Sequence, residues 1–434
     1  MCQEKNDKTS MSLLNPGAKN WIPKYLDLLN TGEITLNVSL ARKLPPEEFI
    51  HALVFQTGLV FGYPTELLFY SGDTSKWTID EKLKVLLFEQ LLLEYSLIKA
   101  DSAFNSTEFL DSLLTFYKHY KVNSVLSVLT FFIKEPNSIG VESILSRRVN
   151  IRKVYSTKFW VNYLCNSLVY LDVIAYHEFL SSEESLESHY EQYAESVLHV
   201  IVQASKIDGE IDKKEQTLLD VFLASAAFSE EKKGLIKESR FNDSTIEQLV
   251  DIIPVNSSSL LKKYLLDIGV LTIFSDLQAL DVELDFLRKL YMLLGLTEKD
   301  LHTSIGLIQA FVIENNHEVS FLQENSSYDK LYTSFSNRWI KILGRNKDKL
   351  VEELHESKEL VFLVKKSLHK ELSIEEKEKV SSQFKDIIKS MPALAIFMLP
   401  GGALLLPLIL KIVPALLPSA FRENELEDDS SPTG

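Results

Sequence analysis

The sequence predicts an all-α protein in which a multi-helix soluble region, containing a repeated helical hairpin, is followed by a C-terminal proline-kinked transmembrane segment. Three observations carry this expectation. Apolar residues recur at helical spacing, while strand-like alternation is scarce. Through the middle of the chain, positions 68 residues apart match without gaps. Near the end, Met391 to Leu410 holds twenty residues without a charge, about 30 Å of helix and the thickness of a bilayer's hydrocarbon core. Ten of those are Leu, Ile or Phe, so on the order of −5 kcal/mol favours insertion before the prolines and glycines are counted.

The elements follow in chain order. The N-terminus MCQEKNDKTSMS is polar and has no apolar core region, which fits neither a secretory signal nor a lipoprotein leader. Residues 1–17 read as a disordered start and 18–189 as an N-terminal helical domain. Gly32 to Val38 alternates and reads as a short strand. Thr78-Ile79-Asp80-Glu81 is a capping box that opens a helix to about Lys99. Behind it Leu83, Leu86, Leu87, Leu91, Tyr95 and Ile98 form one stripe. Comparable helices are expected over 106–118, 124–132, 156–179 and 187–205. The basic run Arg147, Arg148, Arg152, Lys153, Lys158 reads as a solvated helix end, with anionic headgroups as the alternative.

The repeat pairs Leu198 with Leu266, Val202 with Val270, Asp208 with Asp276, Glu215 with Glu283, and Ser229-Glu230 with Thr297-Glu298. Leu218, Leu219 and Phe222 match Phe286, Leu287 and Leu290, so each copy carries an apolar stripe that the other can cover. The first copy, ASKIDGEIDKKEQTLL, resembles the tellurite-resistance TerB-like helical domain, a resemblance spanning 190–312. Its carboxylates Asp208, Glu210, Asp212 and Glu215 are weak candidates for a divalent cation. Asp212 and Glu215 are also a helix-capping pair, which needs no metal. An EF-hand is excluded, since Lys213 and Leu219 stand where its glycine and closing glutamate belong.

A connecting segment, 313–352, leads to juxtamembrane helices over 353–390, one from about Asp348 to His369 and one opened by the capping box Ser373-Ile374-Glu375-Glu376. The membrane segment is 391–421, and 422–434 is an acidic tail. The motif Leu372-Ser373, Asp386, Pro392, Pro400, Gly401, Gly402, Pro407, Lys411, Pro414, Leu417-Pro418-Ser419-Ala420-Phe421 resembles the LETM family, the leucine-zipper and EF-hand transmembrane proteins of the mitochondrial inner membrane, with their bacterial relatives. A TerB-like middle with a LETM-like end is similar to the bacterial LETM-related biofilm-associated proteins. The resemblance implies an inner-membrane protein of cation and proton exchange or cation homeostasis. In the family a soluble domain held to contact ribosomes follows the span, whereas thirteen residues follow Phe421 here, so ribosome binding is not expected.

Pro400, Pro407 and Pro414 each lack an amide hydrogen and release the carbonyls of Ile396, Ala403 and Leu410. In lipid those carbonyls need partners from neighbouring helices, water or a cation. A kinked anchor, a cation-conducting seam in an oligomer, a re-entrant hairpin at Pro400-Gly401-Gly402 and a buried core segment all meet that need. No Asp or Glu lies between Met391 and Phe421, so a proton-coupled antiporter requires an oligomer or another polar path. Lys377, Lys379, Lys385 and Lys389 before the span put the N-terminal bulk on the cytoplasmic side of the inner membrane.

Composition narrows the function classes. Net charge is −15 from 61 acidic and 46 basic side chains, which weighs against nucleic acid as a partner. Two cysteines are too few for a disulfide framework. The nine histidines fall in no HExxH, and CxxC pairs, GxSxG and phosphate-binding glycine patterns are absent. Glu195 and His199 share a helix face, as a metal pair would, and are read as structural. No enzyme and no cofactor is expected. Expected partners are the lipid bilayer and a second copy or another membrane protein. The leading expectation is envelope-associated cation homeostasis or scaffolding, with an oligomeric antiporter and a soluble protein or enzyme with a buried apolar C-terminus as alternatives.

Overall fold

The computed structural model describes residues 14–36, 46–99, 104–120, 136–151, 165–181, 190–207, 213–239, 244–254, 256–273, 281–315 and 347–390, together with 409, 410, 413 and 414. Among them are sixteen α-helices and no strand. The first eight are α1 (Trp21–Asn30), α2 (Pro46–Thr57), α3 (Ile79–Ile98), α4 (Ser106–Tyr120), α5 (Asn137–Arg148), α6 (Tyr170–Ser181), α7 (Tyr190–Ala204) and α8 (Lys213–Ser225). The rest are α9 (Glu230–Glu238), α10 (Leu249–Ile252), α11 (Ser259–Ile273), α12 (Asp281–Leu293), α13 (Glu298–Asn315), α14 (Lys347–Glu356), α15 (Lys358–His369) and α16 (Ile374–Ser390). The chain divides into two compact units, Met1–Ala41 with Thr57–Leu265 and Arg42–Gln56 with Leu266–Gly434.

In the first unit α3 is the central element. Its capping box forms, with the Thr78 hydroxyl accepting from the Glu81 N–H and the Glu81 carboxylate accepting from the Thr78 N–H. Every residue from Leu83 to Tyr95 is buried. A one-sided stripe was expected, yet the helix is covered all round, because α5 and α6 both pack on it. Phe88 gathers Trp21, Tyr25 and Phe109 at ring-centroid distances of 5.3 to 5.6 Å. Aromatic pairs at such spacing add to their area burial. The start of α1 has no cap of its own. Glu142 of α5 accepts the N–H groups of Asn20 and Ile22 at 3.0 Å each, satisfying donors that the helix leaves open.

The repeat is visible in the helix limits. Adding 68 to the limits of α8 gives those of α12, and adding it to Glu230, the first residue of α9, gives Glu298, the first of α13. Ser229 caps α9 through the Lys232 N–H, and Thr297 caps α13 through the Asp300 N–H. Leu218, Leu219 and Phe222 are buried, as are Leu287 and Leu290, whereas Phe286 is half-exposed. The first copy packs α7 on α8 and the second packs α12 on α13.

Four further expectations are corrected. Residues 32–36 form a turn and loop, not a strand. Ile34 is buried and its N–H goes to the Leu28 carbonyl, so the alternation there anchors the loop to α1; 37 and 38 lie outside the described residues. Within the helix expected over 156–179, residues 165–169 are not helical and α6 starts at Tyr170, while 156–164 lie outside the described residues. Asn166 is tied to the end of α5, its N–H to the Val149 carbonyl and its side-chain amide to that of Arg148. The helix expected over 348–369 breaks at Ser357, which leaves helical torsions at φ −90 and ψ 68 while its hydroxyl donates to Gln383. Arg148, read as part of a solvated basic run, is fully buried. The helix expected over 124–132 lies outside the described residues.

Candidate functional site

The LETM-like motif begins in the second unit, where α14, α15 and α16 pack on one another. Their contact faces are Leu350 and Leu354 of α14, Leu360, Leu363 and Val364 of α15, and Val380, Phe384 and Ile387 of α16, all buried. The three- and four-residue spacings put each set on one side of its helix. The capping box of α16 forms, with the Ser373 hydroxyl accepting from the Glu376 N–H and Glu376 accepting from the Ser373 N–H. Lys379 and Gln383 of α16 both reach Glu359 of α15. The ammonium of Lys379 and the amide of Gln383 hold the Glu359 carboxyl below its ordinary range.

Asp386 is exposed near the end of α16. Of the motif that follows, Pro392, Pro400, Gly401, Gly402, Pro407, Lys411 and Pro418 lie outside the described residues, and Pro414 is half-buried. Ile409 and Val413, four residues apart in the sequence, are both fully buried. Among the described residues no helix is long and apolar enough to cross a membrane.

Of the weak cation candidates, Asp208, Glu210 and Asp212 lie outside the described residues. Glu215 is buried in the first turn of α8, and its counterpart Glu283 is buried in the first turn of α12. No group of three or more His, Cys, Asp and Glu among the described residues is arranged to hold a metal ion.

Glu195 and His199 do share a site. They border a cleft of about 660 Å³ with Lys232, Leu235, Ser244 and Asp251. Both are engaged. The Lys232 ammonium stands 2.9 Å from Glu195 and 3.4 Å from Glu191, over the Phe228 ring at 4.5 Å. His199 Nε2 donates to the Thr245 carbonyl at 3.0 Å, which leaves Nδ1 as the acceptor of a neutral ring. Burial pulls the His199 pKa below its ordinary value, consistent with neutrality. The cleft therefore offers a closed ion pair and a neutral imidazole, and the Ser244 hydroxyl on its wall is engaged by Gln203 and Lys206 and donates to the Ser239 carbonyl.

Sequence reasoning missed the buried polar constellations. Arg148 holds Asp172 through Nε at 2.7 Å and Nη2 at 2.6 Å, the Tyr117 hydroxyl donates to Asp172 at 2.9 Å, and the guanidinium lies 5.2 Å from the Tyr190 ring centroid. Glu89, fully buried, accepts the Tyr25 hydroxyl and the N–H groups of Leu68, Phe69 and Tyr70. Glu94 meets His177 at 2.9 Å, again out of solvent. The signal was present, since Glu89 and Glu94 interrupt the leucine-rich run of α3 and a charge inside an apolar helix demands a partner.

Residues 372–431 match the family model described as LETM1-like, RBD. The match starts at Leu372, beside the α16 capping box, crosses the uncharged run and ends in the acidic tail. These stretches therefore form one family segment. The molecule is helical throughout its described secondary structure, its C-terminal segment is similar to the LETM1-like model, and the match supports the LETM family. No curated protein and no solved structure matches the chain.

Proposed function

We propose that this chain is a LETM-type helical protein of the inner membrane that serves envelope cation homeostasis or scaffolds partners there, without catalysing a reaction. The observation that carries this reading is the coincidence of the LETM1-like match with the twenty-residue uncharged run. The bulk of the chain, including the TerB-like repeat, stays on the cytoplasmic side, as the lysines before the run favour. The resemblance of the TerB-like middle and LETM-like end to LETM-related biofilm-associated proteins extends this reading to a biofilm-related role.

Ile409 and Val413 favour a second reading, a protein with an apolar C-terminus buried in its own fold. A lone anchor in lipid has no protein to cover these side chains, yet both are covered. Membrane fractionation separates the two. A chain that stays in the pellet through carbonate and high-salt washing, and floats with liposomes, supports the membrane reading. Release into the supernatant overturns it. For an antiporter, purified protein in liposomes with an ion-sensitive dye is decisive: flux lost on Pro407→Ala or Lys411→Ala supports transport, and absence of flux excludes it.

A further inference from the structure

On α15, 100° per residue places Lys358, Phe362, Lys365 and Lys366 on one arc. That arc lies opposite Leu360 and Val364, which are fully buried in the three-helix module. Phe362 is 64% exposed, a large ring held away from the core. Around it stand exposed Lys358 and half-exposed Lys365 and Lys366, and exposed Lys370 follows the helix end. The acid at the edge of the arc, Glu359, is turned to Lys379 and Gln383, and Lys366 is shared with Glu376. The arc is therefore basic and aromatic in a chain of net charge −15.

We infer that this arc is a contact surface for an anionic lipid headgroup layer, with the Phe362 ring entering the interface and the lysine ammonium groups meeting phosphates and carboxylates around it. The inference rests on the membrane reading above and deepens it. An apolar ring flanked by lysines is the composition of a helix lying in the interface plane, and each lysine near an anionic leaflet strengthens attachment. Geometry adds an orientation. The pairs Lys366–Glu376 and Glu359–Lys379 show that α15 and α16 run antiparallel, so Phe362 stands level with the middle of α16. That level is about 15 Å of helix short of the uncharged run. The ring reaches lipid only when the hairpin lies along the surface, not when it stands upright on it.

The test uses the full chain carrying Cys2→Ser and Cys165→Ser, with Phe362→Cys coupled to a polarity-sensitive fluorophore. Vesicles of phosphatidylcholine containing about 30 mol % phosphatidylserine are compared with pure phosphatidylcholine. The expected result is a blue shift on the anionic vesicles alone, with apparent affinity lowered at least about tenfold by Lys358→Glu with Lys365→Glu. Flotation of the chain without a shift overturns the inference and leaves the membrane reading standing. An equal shift on both lipids, or a shift with single-stranded RNA and none with vesicles, overturns it as well. A chain that fails to float removes both readings.

Discussion

Arg148 and Asp172 face each other through two hydrogen bonds, with neither side chain reaching solvent. The guanidinium closes the end of α5 and the carboxylate the first turn of α6, with Tyr117 of α4 completing the acceptor's coordination. Three helices are thereby fixed to one point. A buried ion pair is costly to break, since removing one partner strands the other charge. Arg148→Met or Asp172→Asn is expected to lower unfolding stability by about 3–5 kcal/mol, read by urea denaturation followed by circular dichroism. The double replacement Arg148→Met with Asp172→Leu should cost less than either single change, because no charge is then stranded.

Glu89 gives a pH dependence with a defined sign. Burial raises its pKa from an ordinary 4.5 to about 7, against the lowering effect of its four donors. Between those values the folded state keeps a proton that the unfolded state has lost, so the stability it contributes is full below about 4.5 and is lost as pH rises through 7. The change is on the order of 3 kcal/mol. Glu89→Gln keeps an acceptor and removes the titration. Unfolding free energies measured from pH 5 to 8 should therefore fall less steeply in the variant than in the parent chain.

Two glycines separate backbone strain from crowding. Gly62 has φ +69, and a Cβ there would stand 2.3 Å from the Asn166 carbonyl oxygen. Gly32 has φ +79 with nothing within 4 Å of such an atom. Gly32→Ala should cost about 1 kcal/mol, the left-handed backbone alone. Gly62→Ala adds a clash with main chain that cannot swing away, for a total of about 2–4 kcal/mol. Melting temperatures of the two variants that shift equally would contradict the close approach at Gly62.

Ser373→Ala removes one half of the α16 capping box. The expected cost is about 1 kcal/mol, concentrated in the α14–α16 module. Hydrogen exchange should show faster amide exchange in the first turn of α16 with little change in α3.

The features that were legible in the sequence are those set by neighbours along the chain. The capping boxes at Thr78 and Ser373 form as read, and the 68-residue offset reappears in the limits of α8 and α12. What was not legible depends on partners far away in sequence. Arg148 looks solvated until Asp172 is placed beside it, and the 348–369 stretch looks continuous until Gln383 engages Ser357. Alternation around Ile34 mimics a strand because one buried side chain in a loop leaves the same pattern. At the candidate site, a shared helix face for Glu195 and His199 was readable, whereas Lys232 and the Thr245 carbonyl, which occupy them, come from later segments.

The covered pair Ile409 and Val413 bears on how such a tail meets a bilayer. Acyl chains are about as apolar as the aliphatic side chains of a protein interior, so trading one dry surrounding for the other changes the hydration of these two residues little. For this stripe the energetic distance between a tucked tail and an inserted one is short. The balance is then set by the chain's carbonyls and lysines, which makes headgroup charge, more than oiliness, the quantity to vary.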